Sequence, residues 1–180
     1  MEDLSLHMLD IMENSLDARA RRIEVRIDED SPADRLILEI RDDGNGMDAR
    51  TLEQASNPFF TTRTTRKFGL GLSMLAESAK ATGGVLTIDS APGRGTRVKA
   101  TFRPSHIDMK PLGDIPQTLL TLLAGHPEIE LRYEHVTGED SFSFDTREIR
   151  GGHGSPEVLR LVEAHLREGL AALTGRTKTP

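Results

Sequence analysis

Cysteine is absent from all 180 residues, which excludes disulfides and thiolate metal sites. Tryptophan is also missing and tyrosine occurs once, so a core must rest on Leu, Ile, Val, Met and Phe. No apolar run approaches the roughly 20 residues that a bilayer-spanning helix needs. No signal peptide precedes the first periodic segment. A cytoplasmic chain with no membrane partner is expected. A basic excess is missing as well. The net charge is −6, with 15 basic and 17 acidic residues in 1–103 and 8 and 12 in 104–180. Neither half has the cationic balance of a nucleic-acid binder. The Gly-x4-Gly-Lys-Ser/Thr pattern of a P-loop appears nowhere. The length suits one domain with its own core, or one domain with an extension.

What is present begins with a helix, predicted over Leu4 to Ala20. Wound at about 100° per residue, it sorts into two faces. Leu4, Met8, Leu9, Ile11, Met12, Leu16, Ala18 and Ala20 form a broad apolar arc, interrupted by Ser15 and Arg19. His7, Asp10, Glu13, Asn14 and Asp17 share the narrow remainder. Carboxylates one turn apart repel, by about a few tenths of a kcal/mol per pair. Such a strip is either a solvated face or a place for a cation.

Downstream, Arg22–Asp28 and Arg35–Arg41 alternate apolar and charged residues, as two half-buried strands of a hairpin do. The second runs into Asp42-Asp43-Gly44-Asn45-Gly46-Met47, where two spaced glycines mark a tight turn or a close approach. A short helix over 48–56 ends at Asn57-Pro58. A polar, cationic loop follows, with Thr61, Thr62, Arg63, Arg66 and Lys67, and then Gly69-Leu70-Gly71 opens a helix through Ala81. Free N–H groups at a helix start attract anions, and the threonines and cations before it suit phosphates. Residues 85–90 and 96–103 read as a second hairpin. Asp42, at a strand end beside two glycines, suits an acceptor for an exocyclic amine, such as that of adenine. Asp43 is expected to face solvent.

Past Pro104 the pattern changes, and a boundary is placed there. Residues 117–124 read as a helix, 128–136 and 141–147 as strands, and 156–173 as a helix capped by Ser155. None of the six histidines sits in a phospho-acceptor motif, so each is expected on the surface or internally satisfied.

Four segments in order carry a resemblance: Glu13-Asn14-Ser15-Leu16-Asp17-Ala18, Asp42-x-Gly44-x-Gly46-Met47, Pro58-Phe59-Phe60-Thr61-Thr62 and Gly69-Leu70-Gly71-Leu72-Ser73. They resemble the N, G1, F and G2 boxes of the ATP-binding domain shared by gyrase, heat-shock chaperone, histidine kinase and mismatch-repair ATPases. The resemblance covers about residues 4–103. The first box looks most like the mismatch-repair branch. The short lid and the glycine-leucine-glycine turn look like histidine kinases. The opening and the tail are similar to small stand-alone bacterial ATP-binding proteins.

The resemblance implies an α+β fold, a two-layer Bergerat-type sandwich of mixed sheet on helices. It assigns residues 1–103 to the ATP-binding domain, with 104–180 as a small α/β extension. It also implies that Asn14 coordinates Mg²⁺ on the ATP phosphates and that Asp42 binds the adenine amine. Gly44 and Gly46 would let backbone approach the base, with Thr96 nearby. Thr61, Thr62, Arg63, Lys67, Gly69, Leu70, Gly71 and Leu72 would form the lid and the path to the phosphates.

In the hydrolytic branches a glutamate four residues before the asparagine activates water, and here that place is Asp10. Aspartate is shorter by one methylene, about 1.5 Å. A general base needs direct reach or one intervening water. Asp10 acting through water, acting weakly or only supporting the metal all remain open, and Glu13 is a nearby alternative. The implied activity is phosphorylation or regulation of a protein partner in trans. The alternatives are an ATP-driven switch with slow hydrolysis, or a nucleotide-binding subunit without turnover.

Overall fold

In the computed structural model, residues 3–56, 70–149 and 152–176 are described. The chain opens with α1 (Leu4–Asp17), whose first turn is capped by the Asp3 carboxylate accepting from the Leu6 N–H. The helix stops three residues short of the expected Ala20. Ala18 takes the C-cap, and Arg19 follows at φ 62°, a left-handed turn that no helix continues through.

Strands β1 (Arg22–Asp30) and β2 (Arg35–Asp42) form the first antiparallel hairpin. Next come α2 (Ala49–Ser56), α3 (Leu70–Ala81), β3 (Leu86–Ser90) and β4 (Thr96–Phe102). The later half adds α4 (Ile115–Gly125), β5 (Glu130–Thr137), β6 (Asp140–Asp145), a 3-10 turn (Thr146–Glu148) and α5 (Pro156–Arg176). Asp114 caps α4 through the Gln117 N–H, and Ser155 caps α5 through the Val158 N–H, each supplying an acceptor for an orphan donor.

All six strands join one mixed sheet, in the order β3-β4-β2-β1-β5-β6. The β1–β5 pairing is parallel, so the sheet runs without a break across residue 104. Period-two alternation then decides what each face does. Ile23, Val25, Ile27, Leu36, Leu38, Ile40, Val98, Ala100, Leu131 and Tyr133 are buried beneath α1, α3, α4 and α5. Each fully buried aliphatic chain contributes about 1.5–3 kcal/mol relative to exposure, so this face holds the fold together. The other face carries ion pairs such as Arg26–Glu134 at 2.6 Å and Arg97–Glu39 at 2.8 Å. The result is the two-layer α+β sandwich of mixed sheet on helices that the resemblance implies.

Candidate functional site

Asp42 ends β2 and is held by three donors from three separate stretches. One carboxylate oxygen accepts from the Gly44 N–H at 2.9 Å and the Thr96 N–H at 3.1 Å. The other accepts from the Ser15 hydroxyl at 2.8 Å, which also reaches the Ile11 carbonyl. A carboxylate oxygen has two lone pairs, so the Ser15-bound oxygen keeps one acceptor direction open. Ser15 is buried, and this explains why a hydroxyl interrupts the apolar arc of α1.

The turn after Asp42 is pinned from outside. Asn45 N–H donates to the Ala18 carbonyl at 2.8 Å, Gly93 N–H to the Asn45 carbonyl at 2.7 Å, and Met47 N–H to the Ser90 hydroxyl at 2.9 Å. Gly46 sits at φ +66°, and a Cβ there would run into the Ala91 carbonyl. Glycine is required at that position by the neighbouring turn as well as by the dihedral. Asp43 is exposed as expected, and its carboxylate accepts from the Arg21 and Arg22 N–H groups, fixing the start of β1.

These elements enclose a cavity of about 470 Å³ lined by Ile11, Asn14, Ser15, Asp42, Gly46, Met47, Leu72, Thr96 and Val98, among others. A volume of this size falls in the range of small-molecule pockets, and the wall mixes apolar side chains with a few convergent polar groups. The Asn14 side-chain nitrogen is buried and has no partner among the described residues. A buried amide nitrogen left unpaired costs about 1–3 kcal/mol, which a ligand oxygen recovers. The structure therefore brings Asn14, Asp42, Gly46, Leu72 and Thr96 around one space, with Gly44 bonded to Asp42 at its edge.

Asp10 stands apart from them. It is half-buried against the start of α3, where a Cβ on Gly71 would lie 2.6 Å from the Asp10 Cβ, and it is not among the residues lining the cavity. Gly71 is thus the residue that lets α1 and α3 approach there. Glu13 and Asp17 are exposed, so the polar strip of α1 divides. Thr61, Thr62, Arg63, Lys67 and Gly69 lie outside the described residues, as does the side chain of Leu70.

His7, on the same helix, is fully buried and only partly satisfied, where a surface or satisfied histidine is expected. Its Nε2 is 3.4 Å from both the Ser78 hydroxyl and the Lys110 ammonium, and its Nδ1 has no partner among the described residues. Burial, reinforced by Lys110, lowers its pKa to about 4. His153 is also buried, its Nε2 without a partner among the described residues, and burial lowers its pKa. His135 is internally satisfied, between Tyr133 and Glu29. Among the described residues no cluster of three His, Asp or Glu side chains forms a metal site. No helix there is long and apolar enough to cross a membrane.

A glycine-turned acceptor carboxylate, a half-buried asparagine and a helix start thus border one cavity on a mixed sheet. Residues 2–106, more than half of the chain, match the family described as histidine kinase-, DNA gyrase B- and HSP90-like ATPase, and the chain belongs to that family. It is similar to the sensor kinase CckA of Brucella abortus, 44% identical over 85 residues, or 47% of this chain and 9% of that protein. It is also similar to the sensor protein kinase FleS of Pseudomonas aeruginosa, 40% identical over 89 residues, covering 49% and 22% of the two chains. The chain thus spans less than a quarter of the length of either relative. Among solved structures, the N-terminal domain of a DNA repair protein superposes with a TM-score of 0.51 at 14% identity. That match covers 81% of this chain and 52% of the other, and it bears on the fold alone.

Proposed function

We propose that this chain is an ATP·Mg²⁺-binding module that phosphorylates or otherwise regulates a protein partner in trans. The observation that carries this reading is Asp42, held by Ser15, Gly44 and Thr96, with an acceptor direction left open in the same cavity as the unpartnered Asn14 amide. In this reading the open direction accepts the adenine amine, and the apolar wall formed by Ile11, Met47, Leu72 and Val98 packs on the base. Asn14 offers a carbonyl oxygen, a suitable ligand for Mg²⁺, and an NH₂ that donates to phosphate. Mg²⁺ supplies charge neutralisation on the phosphates, and transfer depends on positioning more than on covalent chemistry by the protein. Thr61, Thr62, Arg63, Lys67, Gly69, Leu70 and Gly71 serve as lid and phosphate approach. The similarity to sensor kinases favours phosphotransfer over hydrolysis. So does the position of Asp10, away from the cavity wall and against Gly71.

Incubation with γ-labelled ATP, Mg²⁺ and extract of the native host tests this. Label on another protein, lost in Asp42→Asn, is the expected result. Phosphate release without a partner, lost in Asp10→Asn, would instead indicate a hydrolytic switch. Binding with neither outcome would leave a non-catalytic nucleotide-binding subunit.

A further inference from the structure

A second cavity, of about 630 Å³, opens at the opposite end of β1 from Asp42. Ile23, the β1 partner of Asp42, and Glu29, on the wall of this cavity, are six residues apart, which in a strand is about 20 Å. The two spaces are therefore separate. The second lies between the start of α4 and the later turns of α5, with Leu112, Ile115 and Leu170 supplying apolar wall.

At its inner end a polar chain emerges from the core. The Tyr133 hydroxyl is 2.8 Å from His135 Nδ1, and His135 Nε2 is 2.6 Å from one oxygen of Glu29. Tyr133 is fully buried, and among the described residues its phenol has no hydrogen-bond partner other than the imidazole. The Glu29 carboxylate can only accept, so Nε2 carries a proton and donates to it, while Nδ1 meets the Tyr133 hydroxyl. The arrangement fixes one Glu29 oxygen and aims the carboxylate. Its second oxygen has no partner among the described residues.

Charge selects what can bind there. Arg167, also on the wall, is already shared between Asp114 at 3.3 Å and Glu163 at 3.0 Å. Among the described residues Glu29 has His135 as its only ion-pair partner, and that contact occupies one of its two oxygens. An oriented carboxylate with a free oxygen, beside apolar walls, asks for a cationic donor with an apolar body. A bare metal ion would need several oxygen ligands, and no such cluster is present among the described residues. We propose that this cavity is a binding site for a small primary alkylamine, whose ammonium pairs with Glu29 and whose chain lies between α4 and α5.

Titration with n-hexylammonium, followed by amide chemical shifts, tests the assignment directly. It does not depend on whether the first cavity binds ATP. Saturable shifts at roughly millimolar amine are expected, with n-hexanol and n-hexanoate at least about ten-fold weaker, since a charge-assisted bond is at stake. Glu29→Gln should bring the amine down to the level of the alcohol. Because Glu29→Gln also disturbs His135, a second variant, Ala171→Trp, fills the mouth from an exposed position on α5 and should block binding. No saturable shift in the folded wild-type protein, equal binding of amine and alcohol, or amine binding undiminished in Ala171→Trp would overturn the proposal.

Discussion

Asp42 shows why single atoms decide this site. Its two oxygens already serve three protein donors, so replacing it with asparagine leaves one acceptor oxygen and turns the other position into a donor. Either Ser15 or the Gly44 and Thr96 N–H groups then face an NH₂. For Asp42→Asn we expect ATP binding to fall below detection in calorimetry, with about 1–3 kcal/mol of stability lost in the same variant. Affinity equal to wild type would remove the adenine role. Asn14 calls for a different measurement, because its orphaned nitrogen and its oxygen have separate tasks. In Asn14→Ala, Mg²⁺-dependent nucleotide affinity should drop at least about ten-fold while metal-free binding largely persists. An equal fall in both would make Asn14 structural. Both residues stand out in the sequence because their types and neighbours are unusual. Ser15 was visible only as a break in an apolar arc, since its partner lies 27 residues away.

At the scale of elements, α1 is the piece whose reading changes most. Its polar strip divides along the helix: His7 is buried under α3 and the 105–114 connection, Asp10 and Asn14 are half-buried, and Glu13 and Asp17 face water. Helical periodicity predicts which residues share a face but not which neighbours cover it. The buried His7 makes a prediction of its own. Its pKa is about 4 in the folded chain, against an ordinary 6.5, so the unfolded chain binds a proton that the folded one refuses between those values. Stability should thus be unaffected by this group above about pH 6.5 and fall as pH drops toward 4, by up to a few kcal/mol. Asp3 opposes the shift and Lys110 reinforces it. Urea midpoints at pH 7 and pH 5 should differ less in His7→Gln than in wild type. An unchanged difference would mean that other groups carry the pH dependence.

For the whole molecule, the decisive feature is the parallel seam between β1 and β5. The family match ends at residue 106, yet β5 pairs with β1 along eight registered positions, from Arg22↔Glu130 to Glu29↔Thr137. Leu131 and Tyr133 complete the layer beside Ile23, Val25 and Ile27. The 105–114 connection also holds the start of α1, with the Leu4 and Ser5 N–H groups donating to the Pro111 and Leu112 carbonyls. A fragment of residues 1–103 would expose the β1 edge and the apolar faces under α4 and α5, at a cost of about 1.5–3 kcal/mol for each large side chain uncovered. That exceeds the net stability of most domains once several are counted. The fragment is expected to lose its cooperative thermal transition. A sharp melt close to that of the full chain would show that the later half is dispensable.

The sequence by itself determined the helices, the strands and the order of the glycine turns, because periodicity, caps and turn residues act over a few positions. It also announced the family through four short segments in order. Tertiary structure alone decided which polar groups are buried and which face water, that the later half extends the same sheet, and that Asp10 packs on Gly71 away from the cavity wall. The same holds for the Tyr133–His135–Glu29 chain, whose final contact joins residues 106 apart. Those outcomes depend on which surfaces meet when the layers pack, and spacing along the chain does not encode that meeting locally.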